Sequence, residues 1–395
     1  MNVLRLCSVF QPPDSAIIGP GARFDPIGGM QTHTHELTLA LDRLGIAQTV
    51  VTTRPPSTRP EEALGAHSRV IRLGVPVPWF RQLYSWPAFG RLPRLAASAD
   101  LVHVHLGEDL AVIPLARRAA RRHRLPLVLT VHTSVRHTLA VTGPRSALLS
   151  VLGGAIERRG VAAATAVVVL TTRLAELIRA DGRTGPVHVV PSGVATVPAD
   201  PDAAQLLADI PQPRVVFLGR LHAQKQVDTL VRAARELPGT QIVLVGDGPE
   251  HGNLNRLAQR LQVDDRVWFL GFVPHQQVAG LLRAADALAL PSRYEELGTA
   301  LLEGMQAGLP IVATATGGIR QVIDDGRTGL LVPPGDPSAL AAALDRVLTD
   351  RALAERLGVA ARAEAARYDW ADLAGRILAI YESVLEPVRN REPRM

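Results

Sequence analysis

Short runs of valine, leucine and isoleucine alternate along nearly the whole chain with longer stretches of helical periodicity, and they do so in two series. A run such as Ala166-Val-Val-Val-Leu170 is apolar on both faces, which is what a strand covered on both sides requires. In the first series strands are expected near 3–10, 48–53, 68–73, 101–105, 126–131, 167–171 and 187–190, with helices near 29–44, 109–123, 144–163 and 173–180. Around 196–213 the pattern lapses into Pro- and Asp-rich sequence that reads as a linker. It restarts with strands near 214–218, 241–246, 266–270, 287–290, 310–313 and 329–332. Strand-helix alternation of this kind builds parallel sheets with right-handed crossovers. The expected architecture is therefore α/β, with two doubly wound, Rossmann-like domains facing each other across a cleft. We place the domains at 1–200 and 201–370, with a final helix in 371–395 expected to cross back to the first. Ligands belong at the carboxyl ends of such sheets.

With 395 residues the chain exceeds one ordinary core, and its 47 % hydrophobic content excludes a disordered polymer. A lone cysteine, Cys7, rules out intramolecular disulfides, suits a reducing cytoplasm and reads as a small core residue. Met1 to Phe10 is apolar but short, and reads as a first strand rather than a leader; no apolar run reaches the ~20 residues of a membrane span. The net charge of +6 suits an anionic ligand without naming it. Its densest run, Arg117 to Arg124, closes a helical pattern and reads as a solvated face; contact with a membrane surface is the less favoured reading. Aromatics make up 4 % and do not interleave with these arginines, which argues against nucleic acid as a partner.

Of 43 basic residues only one, Lys225, is a lysine. It follows the strand ending at Leu218 and the glycine turn at Gly219, where α/β proteins bind anions, and its compact ammonium suits a phosphate. Gly246-Asp-Gly248 follows another strand but has its third glycine one place late; a tight turn explains it better than a dinucleotide site. Pro291 to Gly308 is more specific. Glu295 lies just beyond the strand 287–290, Gly298 and Thr299 open a helix, and Glu303 lies inside it. Carboxylates accept two hydrogen bonds and so can grip vicinal sugar hydroxyls; as pure spacing, exposed helix-end charges fit equally well. His103 and His105 share one face of a strand, the geometry of a metal pair, yet no third ligand is evident and no metal is expected. His33 and His35 read as acceptor-side or surface residues.

Gly219-Arg220…Lys225 followed by Glu295-x7-Glu303 resembles the donor site of retaining glycosyltransferases of family 4, which have the GT-B fold. The resemblance spans the chain: Gly28-Gly29-Met30-Gln31, Asp100-Leu-Val-His-Val-His105, Val131-His132-Thr133 and Val190-Pro191-Ser192-Gly193-Val194 resemble other signposts of that family. It implies that Arg220 and Lys225 neutralise the donor diphosphate, with amides of Gly28–Gly29 and of Gly298, Thr299 and Ala300 completing the cradle. Glu295 would hold the transferred sugar, Glu303 the ribose, and His132 would sit beside the sugar. Phe272 and Val273 would lie against the base. No metal and no cofactor beyond the nucleotide sugar are expected, since Arg, Lys and helix amides can take the charge of the leaving diphosphate and no aspartate pair marks a metal site. The family's front-face attack, with the diphosphate helping to take the acceptor proton, requires no carboxylate nucleophile. The segment Gln11–Ile27 resembles members that glycosylate aminocyclitols in antibiotic pathways. That points to GlcNAc or glucose, UDP-linked, moved to a small hydroxyl acceptor. The chain departs from the family pattern at Gln226, Ser192, Ala195 and Leu297. The alternatives are hexosyl or mannosyl transfer to a lipid-linked acceptor at a membrane surface, a non-catalytic sugar-nucleotide-binding protein, and an epimerase of the same fold.

Overall fold

The apolar runs do become strands. A computed structural model describes residues 1–11, 29–76, 81–107, 109–134, 136, 144–195 and 200–389. They form two units, Met1–Ser192 with Trp370–Met395, and Gly193–Asp369.

The first unit contains β1 (Asn2–Cys7), β2 (Ala47–Thr53), β3 (Glu61–Leu64), β4 (Ser68–Leu73), β5 (Leu101–Leu106), β6 (Leu127–Val131), β7 (Ala166–Val169) and β8 (Val187–Val189). They form an eight-stranded sheet in the order β3-β4-β2-β1-β5-β6-β7-β8. The sheet is not wholly parallel as expected: β3 runs antiparallel to β4 at the edge. Its pattern of exposed and half-buried residues, with Glu61 and Glu62 in it, protects that edge from further pairing. The helices are α1 (Gly29–Arg43), α2 (Ser85–Leu95), α3 (Val112–His123), α4 (Pro144–Ala163) and α5 (Thr172–Ala180). Strands β5, β6 and β7 are buried along their whole length, as their uninterrupted apolar sequences require. On α3, Val112, Ile113, Leu115, Ala116, Ala119 and Ala120 face the core. Arg121 and Arg122 point to solvent, and Arg118 lies 4.0 Å above the ring of Phe89.

The second unit holds β9 (Arg214–Leu218), β10 (Gln241–Val245), β11 (Val267–Gly271), β12 (Ala287–Leu290), β13 (Ile311–Thr314) and β14 (Leu330–Val332). Their order is β11-β10-β9-β12-β13-β14, and every pairing is parallel. The chain winds outward from β9 to one edge, then restarts from β12 to the other, so the order reverses between β9 and β12. That is the switch point at which open α/β sheets leave a crevice for ligands. Its helices are α6 (Val227–Ala233), α7 (His251–Leu261), α8 (His275–Arg283), α9 (Thr299–Ala307), α10 (Ile319–Val322), α11 (Pro337–Thr349) and α12 (Arg351–Ala365). The chain then rejoins the first unit as α13 (Trp370–Arg389), which packs on α1. Among the described residues no helix is long and apolar enough to cross a membrane.

Candidate active site

In the second unit the residues singled out by sequence gather at the switch point. Lys225 closes a single 3-10 turn (Ala223–Lys225) after β9, and the following Gln226 takes up a left-handed conformation before α6 begins. The helix thus starts two residues later than the lysine. The turn is held close to β10: Gly219 donates from its amide to the Val245 carbonyl at 2.9 Å, and Leu221 to that of Asp247 at 2.9 Å. A Cβ on Gly246 would lie 2.0 Å from the Gly219 carbonyl oxygen, so only glycine admits this approach. This is the tight-turn role expected of Gly246.

The Lys225 ammonium forms an ion pair with Oε1 of Glu295, on the loop after the neighbouring strand β12. The same oxygen accepts from the buried Ser292 hydroxyl at 2.9 Å. Two further ties clamp loop to turn. The Arg293 amide donates to the Gln224 carbonyl at 2.9 Å, and Gln224 Nε2 donates to the Tyr294 carbonyl at 3.0 Å. From the other side the Gly318 amide donates to the Glu295 carbonyl at 2.9 Å. Gln224, Ser292 and the Gly317-Gly318 turn escaped the sequence reading. Only the adjacent glycines signalled a backbone approach. Arg220 is exposed on the turn after β9.

Helix α9 begins at Thr299, with Gly298 as its N-cap at φ 77° and no side-chain cap. The amides of Thr299 and Ala300 open its first turn, where a helix attracts anions. Glu303, one turn in, lines a pocket with His275, Val194, Ala195, Arg283 and Gln306. Burial pushes its carboxyl up to about 7, and His275 Nδ1 stands 3.4 Å from it. His275 was also missed, because nothing in its local sequence marks it. Phe272 is exposed, whereas Val273 is buried in the core.

The first unit gathers histidines. His132 follows β6, its amide donating to the Leu106 carbonyl at 2.8 Å. Its Nε2 lies 3.0 Å from Nδ1 of His105. His33 is buried rather than at the surface: its ring packs 4.5 Å from that of His132 and 5.1 Å from that of Trp370. Its Nδ1 meets the Ser192 hydroxyl at 3.0 Å, which gives that departure from the family pattern a partner. The His103–His105 pair divides its work. His103 bonds Tyr381 at 2.6 Å and Thr130 at 2.7 Å, while one ring nitrogen each of His33, His105 and His132 fall within 4.8 Å of one another. The expected His103–His105 pair is therefore split, and His105 groups instead with His33 and His132. Yet His105 Nε2 is 2.8 Å from the buried guanidinium of Arg5, whose charge opposes a cation there. Burial and Arg5 together hold His132 down to about 3. Gly29 is exposed at the start of α1. Gly28 and all but the first residue of the segment Gln11–Ile27 lie outside the described residues.

Two Rossmann-like units, one with lysine, carboxylate and helix amides at its switch point, define a GT-B glycosyltransferase. The comparisons agree. Residues 27–197 match the model of Glycosyltransferase Family 4, and residues 200–364 that of Glycosyl transferases group 1. A D-inositol 3-phosphate glycosyltransferase from Xylanimonas cellulosilytica is 32 % identical, the match covering 90 % of this chain and 91 % of the relative. A 2-deoxystreptamine N-acetyl-D-glucosaminyltransferase from Streptomyces fradiae is 31 % identical, over 89 % of each chain. The solved structure of sucrose-phosphate synthase from Thermosynechococcus elongatus superposes with a TM-score of 0.82 at 26 % identity, over 98 % of this chain and 100 % of that one. The chain belongs to the family 4 glycosyltransferases, enzymes that transfer a sugar from a nucleotide sugar.

Proposed function

We propose that this protein transfers GlcNAc or glucose from a UDP-linked donor to a hydroxyl of a small cyclitol, with retention of configuration and without a metal ion. The observation that carries this reading is the Lys225–Glu295 ion pair at the reversal of strand order. A group suited to phosphate and a group suited to sugar hydroxyls touch there. A sugar nucleotide has one place where its sugar meets its diphosphate: the bond that breaks. Donor binding would slide between the two side chains, Lys225 and Arg220 taking the diphosphate and Glu295 the sugar. Gly28, Gly29, Gly298, Thr299 and Ala300 would offer amides to the phosphates, Glu303 would hold the ribose, and Phe272 and Val273 would border the base.

As the bond from C1 to the diphosphate oxygen breaks, negative charge grows on the leaving group, where the cations and the α9 amides stabilise it. The acceptor oxygen bonds to C1 on the same face and its proton passes to the departing diphosphate. No protein nucleophile is consumed, which suits Glu295, already engaged by Lys225 and Ser292. The cyclitol acceptor is supported by the names of the relatives, one acting on an inositol phosphate and one on 2-deoxystreptamine.

The test is a donor panel in EDTA: UDP-glucose, UDP-GlcNAc, UDP-galactose and GDP-mannose, each with 2-deoxystreptamine or inositol 3-phosphate, the product's anomeric configuration read by NMR. Transfer from UDP-glucose or UDP-GlcNAc with retention is expected. Turnover that needs an added divalent cation would end the metal-free mechanism, and an inverted product the front-face one. Transfer from GDP-mannose alone would end the donor assignment.

A further inference from the structure

Arg5 is an unusual strand residue. It is fully buried on β1, and among the described residues no carboxylate pairs with it. Its Nη1 donates to the Thr38 hydroxyl at 2.6 Å and to Gln48 Oε1 at 3.0 Å. Gln48 Nε2 passes the chain to the Ser68 hydroxyl at 3.0 Å, and Ser68 to the Asp42 carboxylate at 2.8 Å. On the other side Arg5 Nη2 lies 2.8 Å from His105 Nε2. Burying a charge this way is costly unless each of its donors is met, and here Nη1 and Nη2 are met by neutral acceptors only.

What the charge does follows from donor and acceptor bookkeeping. A guanidinium has only donors, so His105 Nε2 must accept. A neutral imidazole that accepts at Nε2 carries its proton on Nδ1. His105 Nδ1 is therefore a donor, and it faces His132 Nε2 at 3.0 Å. That nitrogen must accept in turn, which places the His132 proton on Nδ1. We propose that Arg5 is a positioning residue that acts through His105 to hold His132 as one neutral tautomer, with the proton on Nδ1 as a hydrogen-bond donor and Nε2 closed to protons. His132 then donates to the transferred sugar and cannot serve as the general base. The proposal rests on the transferase reading above and on the family resemblance, which implies that His132 sits beside that sugar.

Against His132 lie His33 from α1 and His105 from β5, with the Arg5 charge on β1 behind them. The carboxylate of Glu157 on α4 accepts at 2.6 Å from the hydroxyl of Ser134, two residues beyond His132. His33, His103 and His105 are each held well below the ordinary histidine value, first by burial and then by neighbouring histidines and Arg5. An imidazolium beside a sugar that is gaining positive charge would oppose the reaction. A neutral donor does not.

The first test uses the whole wild-type chain labelled with 15N-histidine. Long-range proton couplings assign the tautomer, and a His132→Gln spectrum identifies the resonance. A proton on His132 Nδ1, unchanged from pH 8 to pH 5.5, is expected; a proton on Nε2, or titration in that range, overturns the proposal. The second compares Arg5→Met with Arg5→Lys. Arg5→Met should lower kcat by about 10–100-fold, the usual cost of losing a partner that orients a histidine. It should leave the donor KM unchanged and free His132 Nε2 to carry the proton, so that the 15N spectrum shows both His132 tautomers. Arg5→Lys, which keeps a donor and the charge, should restore the single tautomer. Should Arg5→Met not fold, His105→Phe must show the same kcat loss and the same mixed spectrum. A single Nδ1–H tautomer retained in whichever variant folds sinks the relay. Absence of all transfer by the wild type would instead sink the functional reading, and the tautomer would still be legible in the spectrum.

Discussion

Lys225 and Glu295 form an ion pair across two adjacent strand ends, the lysine side chain 24 % and the glutamate 10 % exposed. A pair so placed is coupled: each side chain sets the position of the other before any donor arrives. Replacing either by alanine removes one contact to the donor and frees the other group from its partner. Lys225→Ala and Glu295→Ala are each expected to slow turnover at least ~100-fold, the scale of one lost transition-state contact. Because they share an interaction, the double variant should lose less than the product of the two single losses. Strict multiplicativity in steady-state kcat would mean that the pair does not act as a unit.

Glu303 supplies a pH signature. Its carboxyl is pushed up to about 7 by burial, and a ribose diol is best held by the ionised form, which accepts from both hydroxyls. Binding therefore favours the deprotonated state, so donor affinity is present above pH 7 and fades as the pH falls through it. We expect the donor KM to rise on acidification from pH 8 to pH 6 in the wild type. Glu303→Gln should have a KM about 10–100-fold higher at pH 8, the worth of hydrogen bonds to a charged group, and no such slope. A sloping KM in the glutamine variant would assign the titration to another group.

Much of this architecture was legible because its strands are apolar on both faces. Leu127–Val131 and Ala166–Val169 can be little else than central strands, and they are. Two elements were hidden for opposite reasons. Strand β3 carries Glu61 and Glu62, poor strand formers that suit an edge. Helix α2 contains Pro87, Gly90 and Pro93, each a signal for loop. In the site, Lys225, Glu295 and Glu303 stood out because each follows a strand end in a specific spacing. Gln224, His275 and Arg5 did not, because their meaning lies in partners distant in sequence. Arg5 reads as one solvated charge in a strand until His105, a hundred residues on, is found 2.8 Å away.

The Gly317 position gives a prediction about the loop rather than its charged groups. Its φ is 51°, and a Cβ there would lie 2.0 Å from the Glu295 carbonyl oxygen. Gly317→Ala must push the Glu295 loop away or lose the turn, so activity should fall with stability. Gly326 is the control: its φ is 75° but a Cβ would meet nothing within 4 Å. Both alanines carry the strain of a left-handed backbone, of the order of 1 kcal/mol. Only Gly317→Ala should also lower kcat in the protein that remains folded at 25 °C. Equal activity in the two variants would show that the carbonyl contact does not place Glu295.

The buried histidines predict acid sensitivity of the first unit. His33, His103, His105 and His132 all have folded values below the ordinary 6.5, with burial as the leading cause. Unfolding would release them to titrate near 6.5, so below that pH the unfolded chain binds more protons than the folded one. Stability then rises with pH in this range: it is fully present above pH 6.5 and is lost as the pH falls below it. Each histidine contributes a slope of about 1.4 kcal/mol per pH unit once its unfolded form is charged. Four together are steep enough to exhaust the stability of an ordinary domain within a few units. Glu303 works in the opposite direction in the second unit, since a carboxyl raised to about 7 loses stability as the pH rises from 4.5 towards 7. Thermal unfolding followed by the fluorescence of Trp370, the other tryptophans replaced by phenylalanine, should show Tm dropping steeply from pH 6.5 to pH 5. His103→Gln, which can keep one hydrogen bond to Tyr381 or Thr130 without a titrating ring, should flatten that drop by about a quarter of the slope. A Tm independent of pH down to 5 would mean that the cluster is hydrated and charged in solution, contrary to the burial on which the His132 assignment depends.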